Sequence, residues 1–87
     1  MTEQVYQTKE QIIAENITAR EHSIMLYGIN IDNYTYAIAD IDATENPSED
    51  LVAYRQQLVQ LLVSERREQS KEQVILRALQ AQAAALA

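Results

Sequence analysis

Between Ile13 and Ile41, apolar or aromatic side chains recur at alternating steps of four and three residues, and only Arg20 interrupts them. This spacing keeps one face of a helix apolar and is typical of helices that pack lengthwise on another helix. Thr8, with Gln11 three residues later, can cap the start of the helix, and Thr2 is an earlier alternative. The prediction is a helix over about 8–43 with packing positions at Ile13, Ile17, Arg20, Ile24, Tyr27, Ile31, Tyr34, Ile38 and Ile41.

Residues 29–41 also fit a second interpretation, because apolar and aromatic side chains alternate there as they do in a strand. Helix is favoured, since the spacing established before Gly28 continues unbroken beyond it. Gly28 costs about 1 kcal/mol relative to alanine inside a helix and is the expected site of a bend. One glycine and one proline in 87 residues are also too few for the turns of a β-rich fold.

A second series with the same spacing follows this helix along the chain. Asn46, Pro47 and Glu49 match an N-cap, a first helical position and a capping-box acid, so they predict that a second helix starts at Pro47. The Ala-rich segment 81–87 has little to pack against, and we expect it to fray. The prediction is a turn at 44–46 and a helix over about 47–83, with packing positions at Leu51, Tyr54, Leu58, Leu61, Glu65, Glu68, Glu72, Ile75, Leu79, Gln82 and Leu86.

Folding the chain at this turn produces an all-α antiparallel hairpin that resembles a coiled coil. Apolar layers near both ends flank a polar layer in the middle of the contact, which contains Glu65, Glu68 and Glu72. Arg20 is the expected counter-charge for Glu68 or Glu72. An ion pair between packed helices is weak evidence for stability, but it can determine their register.

Further apolar side chains lie outside these packing positions. Val52, Val59 and Leu62 form a second stripe on the second helix. Two helices alone bury little apolar area, and an exposed stripe marks an interaction site. We therefore expect self-association into a four-helix bundle or a larger symmetric assembly, although a different protein could cover the same stripe. The candidate interface residues are Met25, Leu26, Ile29, Tyr36, Val52, Val59, Leu62 and Val63.

Residue types that carry chemistry are sparse. The chain has no cysteine, and its one histidine, His22, lacks the glutamate three residues earlier that di-metal helical bundles use. Gly28 alone cannot form a glycine-rich phosphate loop. The sequence predicts a protein that is not an enzyme and has no cofactor and no metal site.

Charge and hydropathy limit the expected partners. The formal net charge is −6 and Arg66–Arg67 is the only adjacent basic pair, so we expect no direct binding to nucleic acid. No apolar run reaches the ~20 residues of a membrane span, and the first residues lack the features of a signal peptide. The expected partners exclude membranes, and the expected location is the cytoplasm.

Several segments resemble small helical accessory proteins encoded by tailed phages and prophages: Arg20-Glu21-His22, Tyr27, Ile29-Asn30-Ile31-Asp32-Asn33-Tyr34, Tyr54-Arg55, Leu61-Leu62-Val63-Ser64-Glu65-Arg66 and Lys71. The resemblance implies a role in phage particle assembly or in binding a host protein, within the cytoplasm of the host cell. The leading hypothesis is a self-associating protein–protein interaction module that also binds a phage or host protein. The alternative is an acidic inhibitor that mimics DNA and occupies the nucleic-acid site of a host enzyme.

Overall fold

The chain folds into two long helices joined by a short turn, and the computed structural model describes residues 6–87. Helix α1 spans Lys9–Asp42 and helix α2 spans Glu49–Leu86. The two helices pack along their length as an antiparallel hairpin. The predicted all-helical hairpin is confirmed, and the strand interpretation of 29–41 is wrong because α1 runs through it.

Thr8 is the N-cap of α1 and forms a capping box with Gln11. The Gln11 backbone N–H donates to Thr8 Oγ1 at 3.2 Å, and the Thr8 backbone N–H donates to Gln11 Oε1 at 2.8 Å. The alternative start at Thr2 lies outside the described residues. At the other end of the chain, α2 continues to Leu86, beyond the predicted end at 83, in keeping with the high helix propensity of alanine.

The turn corrects the predicted start of the second helix. Ser48, not Asn46, is the N-cap, since its Oγ accepts a hydrogen bond from the Leu51 backbone N–H at 3.2 Å, and α2 begins at Glu49 rather than at Pro47. An N-cap residue needs an extended backbone, which Ser48 has. Asn46 instead adopts the left-handed conformation, with φ 49°. Asparagine tolerates this region, and the proline that follows disfavours the right-handed helical region at that position.

Helix α1 packs with the face that its spacing predicts, since every position of the series from Ile13 to Ile41 is buried or half-buried. The face of α2 is rotated relative to the prediction. Leu58, Glu65, Glu72 and Leu79 belong to both the predicted and the observed series. Elsewhere between Arg55 and Ala83, the residue that follows the predicted one packs in its place, except in the middle of the contact, where the predicted Glu68 and the following Gln69 are both half-buried. The observed series is Arg55, Leu58, Leu62, Glu65, Gln69, Glu72, Leu76, Leu79 and Ala83. The predicted packing positions that are exposed instead are Leu51, Tyr54, Leu61, Ile75, Gln82 and Leu86.

Gln69 provides a physical reason for this rotation. Its side-chain amide donates a 3.2 Å hydrogen bond to the backbone carbonyl of Ile24. The amide passes close to Gly28, since a Cβ at that position would lie at an ordinary contact distance of 3.4 Å from Gln69 Nε2. An ionised Glu68 could only accept hydrogen bonds and could not serve this carbonyl. Glu68 pairs instead with Lys71 on its own helix, at 3.1 Å.

The core of the hairpin is small. Among the described residues, the buried hydrophobic side chains are those of Ile13, Ile41 and Leu58. The radius of gyration is 20.0 Å, whereas a globular domain of this length has about 12 Å. The accessible surface of 6912 Å² also exceeds the roughly 5,200 Å² expected of a compact monomer of this mass. The hairpin by itself therefore leaves exposed much of the apolar surface that a compact domain buries.

Candidate interaction surfaces

The polar layer of the hairpin contains an ion pair between the two helices. Arg20 Nη1 donates to both carboxylate oxygens of Glu72, each at 3.0 Å. Of the two counter-charges that the sequence offers Arg20, the structure therefore pairs it with Glu72. Glu65 accepts a 3.4 Å hydrogen bond from the side chain of Asn30. These two contacts between α1 and α2 define which residues lie at the same level along the hairpin.

Polar contacts also mark the two edges of the helix–helix contact. Asn30 and Glu65 meet at one edge. At the other edge Arg55 binds Asp42 through two hydrogen bonds, with Nε–Oδ1 at 2.6 Å and Nη2–Oδ2 at 3.0 Å. The hydrogen bond from Arg55, together with its positive charge, holds the pKa of Asp42 below its usual value of 3.8. Gln69 contacts Ile24 and approaches Gly28 at this second edge.

Apolar side chains extend outward from the Asn30–Glu65 edge. Leu26 lies one helical turn before Asn30 and Leu61 one turn before Glu65, so both lie on the same side of the hairpin. The other large apolar members are separated from these two by seven or fourteen residues, which keeps them on the same side. We call this set the Leu61 face, and its members, each 42–49 % exposed, are Ile12, Leu26, Tyr54, Leu61 and Ile75.

A second set of apolar side chains lies on the opposite side of the hairpin, next to the Arg55–Asp42 edge. Val59 lies one turn after Arg55, and Met25 lies one turn before Gly28. This set contains only one large apolar residue of α1. We call it the Val59 face, and its members are Met25, Val52, Val59 and Val63, all exposed.

The candidate interface residues predicted from the sequence do not all lie on one surface. Leu26 belongs to the Leu61 face, and four others make up the Val59 face. Ile29 and Tyr36 lie on the outer side of α1, where Tyr36 is 75 % exposed. Leu62 is half-buried and belongs to the series of α2 that packs on α1.

Sequence reasoning missed three members of the Leu61 face by placing them inside the hairpin: Tyr54, Leu61 and Ile75. Leu61 follows Tyr54 by seven residues, and Ile75 follows Leu61 by fourteen. That repeat was the available signal for a second apolar face, but it overlaps with the packing series of the hairpin.

Within residues 6–87, no three or more His, Cys, Asp or Glu side chains are grouped so that they could hold a metal ion, and His22 is exposed. An open depression on the outside of α2 is lined by that helix alone, by Val59, Gln60, Val63, Ser64 and Arg67. In the same part of the chain, neither helix has the length and apolar character needed to cross a membrane.

The fold defines the class of the protein as an antiparallel two-helix hairpin with exposed apolar faces on two sides. No family of known proteins, no curated protein and no solved structure matches the chain.

Proposed function

We propose that the chain is a non-enzymatic, helical protein–protein interaction module that associates with itself. The proposal rests on one observation: the hairpin leaves many more large hydrophobic side chains exposed than it buries. Among the described residues, three hydrophobic side chains are buried while fifteen large ones are exposed. Single exposed apolar side chains are ordinary, but contiguous apolar faces mark interaction sites.

The small core supports the same proposal on energetic grounds. Two helices that pack only on each other bury one stripe each, and the described residues contain only three fully buried hydrophobic side chains. A second hairpin that covers an exposed face adds burial without lengthening the chain, and it completes a four-helix bundle.

Sedimentation equilibrium over a concentration series tests this proposal, with far-UV circular dichroism measured on the same samples. We expect the mass of two or more helical chains at micromolar concentration, and dissociation into single hairpins when the protein is diluted. A fully helical monomer at every concentration would contradict the proposal.

The resemblance to small helical phage proteins supports a further part of the proposal, which is that the module acts in particle assembly or by binding a host protein. Pull-down with the folded, self-associated protein from phage-infected and uninfected cells tests this part. Specific retention of a phage structural protein or of a host protein is the expected result. Retention of neither contradicts this part of the proposal and leaves self-association standing.

A further inference from the structure

We propose that a second copy of the chain packs on the Leu61 face in the antiparallel direction, with the two turns at opposite ends of the assembly. This inference rests on the proposed self-association, and it adds the face and the direction of that association. Three observations support it: the composition of the two faces, the levels of their apolar residues and the distribution of charge along the hairpin.

The Leu61 face is the more complete of the two apolar faces. It takes large side chains from both helices, Ile12 and Leu26 from α1 and three more from α2, whereas the Val59 face has only Met25 on α1. At roughly 100 Å² for each half-exposed side chain, the five members of two copies bury about 1,000 Å², the size at which specific interfaces begin. The Leu61 face is therefore at the lower end of the area that specific protein–protein interfaces bury.

The levels of the apolar residues favour the antiparallel direction. The Arg20–Glu72 and Asn30–Glu65 contacts place residue 26 of α1 about level with residue 68 of α2. Consider a two-fold axis that lies between the two hairpins at this level and is perpendicular to their helices. It places α1 on α1 of the second copy and α2 on α2. Leu26 then meets Leu26 of that copy. Leu61 meets Ile75, because the two lie seven residues to either side of residue 68. These central members match, whereas the outer members Ile12 and Tyr54 lie opposite Asp40 and Gln82, and Glu68 lies opposite Glu68 of the second copy.

The opposite direction, with both turns at one end, matches these residues poorly. Each α1 then lies over α2 of the second copy, with residues of the same level in contact. Leu26 faces Glu68, and Leu61 faces Asn33. Covering polar groups with apolar side chains costs free energy unless hydrogen bonds replace those made to water.

The charge distribution favours the same direction. Residues 27–64, the half of the hairpin that contains the turn, carry six acidic residues and one arginine, a net charge of −5. The rest of the chain carries seven acidic and six basic residues, a net charge of −1. Placing the turns at opposite ends separates the two acidic halves by more than the roughly 8 Å over which salt screens charges at physiological ionic strength. Placing them together concentrates the repulsion in one half of the assembly.

Two matched substitutions test the choice of face. Leu61→Glu places a carboxylate on the Leu61 face, and Val59→Glu places one on the Val59 face at a similar exposure, 42 % against 37 % for the wild-type residues. We expect Leu61→Glu to raise the dimer dissociation constant by on the order of thirtyfold or more, as for a central interface residue. We expect Val59→Glu to leave it within a few-fold of the wild-type value. If Val59→Glu raises the dissociation constant more than Leu61→Glu does, or if both raise it equally, the choice of the Leu61 face is wrong.

Spin labels at the turn test the direction without changing either face. The chain has no cysteine, so Thr44→Cys provides a single labelling site at an exposed position of the turn. In the antiparallel assembly the two labels are separated by about the length of α1, roughly 50 Å at 1.5 Å per residue. With both turns at one end, the separation is under about 30 Å, because packed helix axes are only 8–10 Å apart.

The two measurements separate the failure of this inference from the failure of the proposed function. A wild-type chain that stays monomeric in sedimentation overturns both. A stable dimer with a short distance between the labels overturns the antiparallel direction, although self-association stands. A long distance together with a dimer that is sensitive to Leu61→Glu is the result expected here.

Discussion

Replacing Leu58 with alanine tests whether the hairpin depends on its small core. Leu58 is 1 % exposed and is the largest fully buried side chain among the described residues. Leucine-to-alanine substitutions at buried sites cost roughly 2.7–5 kcal/mol, and the lower values occur where neighbours can collapse into the space. The contact between two helices is open on both sides and can collapse, so we expect a loss of about 3 kcal/mol. Small domains have only about 5–15 kcal/mol of stability in total.

Two neighbouring leucines provide matched controls for this substitution. Leu61 is 42 % exposed, and Leu62 is half-buried. We expect Leu61→Ala to cost less than about 1 kcal/mol in the isolated hairpin, because its side chain gives up little contact on truncation. Leu62→Ala should cost an intermediate amount, since Leu62 lies in the series that packs on α1.

Urea unfolding followed by far-UV circular dichroism measures these differences in the free energy of unfolding. The protein is kept below the concentration at which it associates, so that only contacts within the hairpin contribute. The observed packing of α2 is refuted if Leu61→Ala costs as much as Leu58→Ala while Leu62→Ala costs little. In that case α2 would pack on α1 with the predicted series, which contains Leu61. At concentrations where the chain associates, the cost of Leu61→Ala should increase, since a second copy covers Leu61.

Three further predictions concern the helix ends and the contact between the helices. Gly28→Ala should stabilise the hairpin by up to about 1 kcal/mol, because the new Cβ stands at an ordinary contact distance of 3.4 Å from Gln69 Nε2; a lower melting temperature would contradict this. Ser48→Ala should cost about 1 kcal/mol in urea unfolding, since it removes the N-cap of α2. The pKa of Asp42 is lower in the folded chain than its usual value of 3.8, so its pair with Arg55 stabilises the fold above that pH and the contribution is lost as the pH falls through the folded pKa. Asp42→Asn should remove this part of the acid dependence, measured as melting temperature against pH.

The packing face of α1 could be predicted from the sequence because only one series in that helix is apolar at steps of three and four. Arg20 is the single polar member, and it pairs with Glu72 across the contact. The capping box of Thr8 is equally local, because the residues that form it are only three positions apart. Such features depend on neighbouring residues and their spacing, so sequence reasoning reaches them.

The packing face of α2 could not be predicted in the same way, because two series overlap there. Leu58, Glu65, Glu72 and Leu79 belong to both, and the residues between them have the same character in either series, apolar at 61 or 62 and at 75 or 76, and polar at 68 or 69. The choice depends on a tertiary contact, the hydrogen bond from Gln69 to the Ile24 carbonyl beside Gly28. The predicted start of α2 at Pro47 is also wrong. Asn46 and Pro47 match the residue pattern of a helix cap, but the backbone at Asn46 is left-handed rather than extended.

Because the two series overlap, α2 carries apolar side chains over a wider arc than contact with α1 alone requires. A helix that contacts a single neighbour needs one apolar stripe, whereas a helix in a four-helix bundle needs a wider arc that faces two neighbours. The arc of α2 includes both Leu62, which packs on α1, and Leu61, which stays exposed in the hairpin. The polar contacts of Arg20 and Gln69 hold the side of α2 that contains Leu62 against α1, so the side that contains Leu61 faces outward. Leu61 and its neighbours on that side then remain available, and in the antiparallel assembly a second copy of the chain sets Leu26 against Leu26 and Leu61 against Ile75.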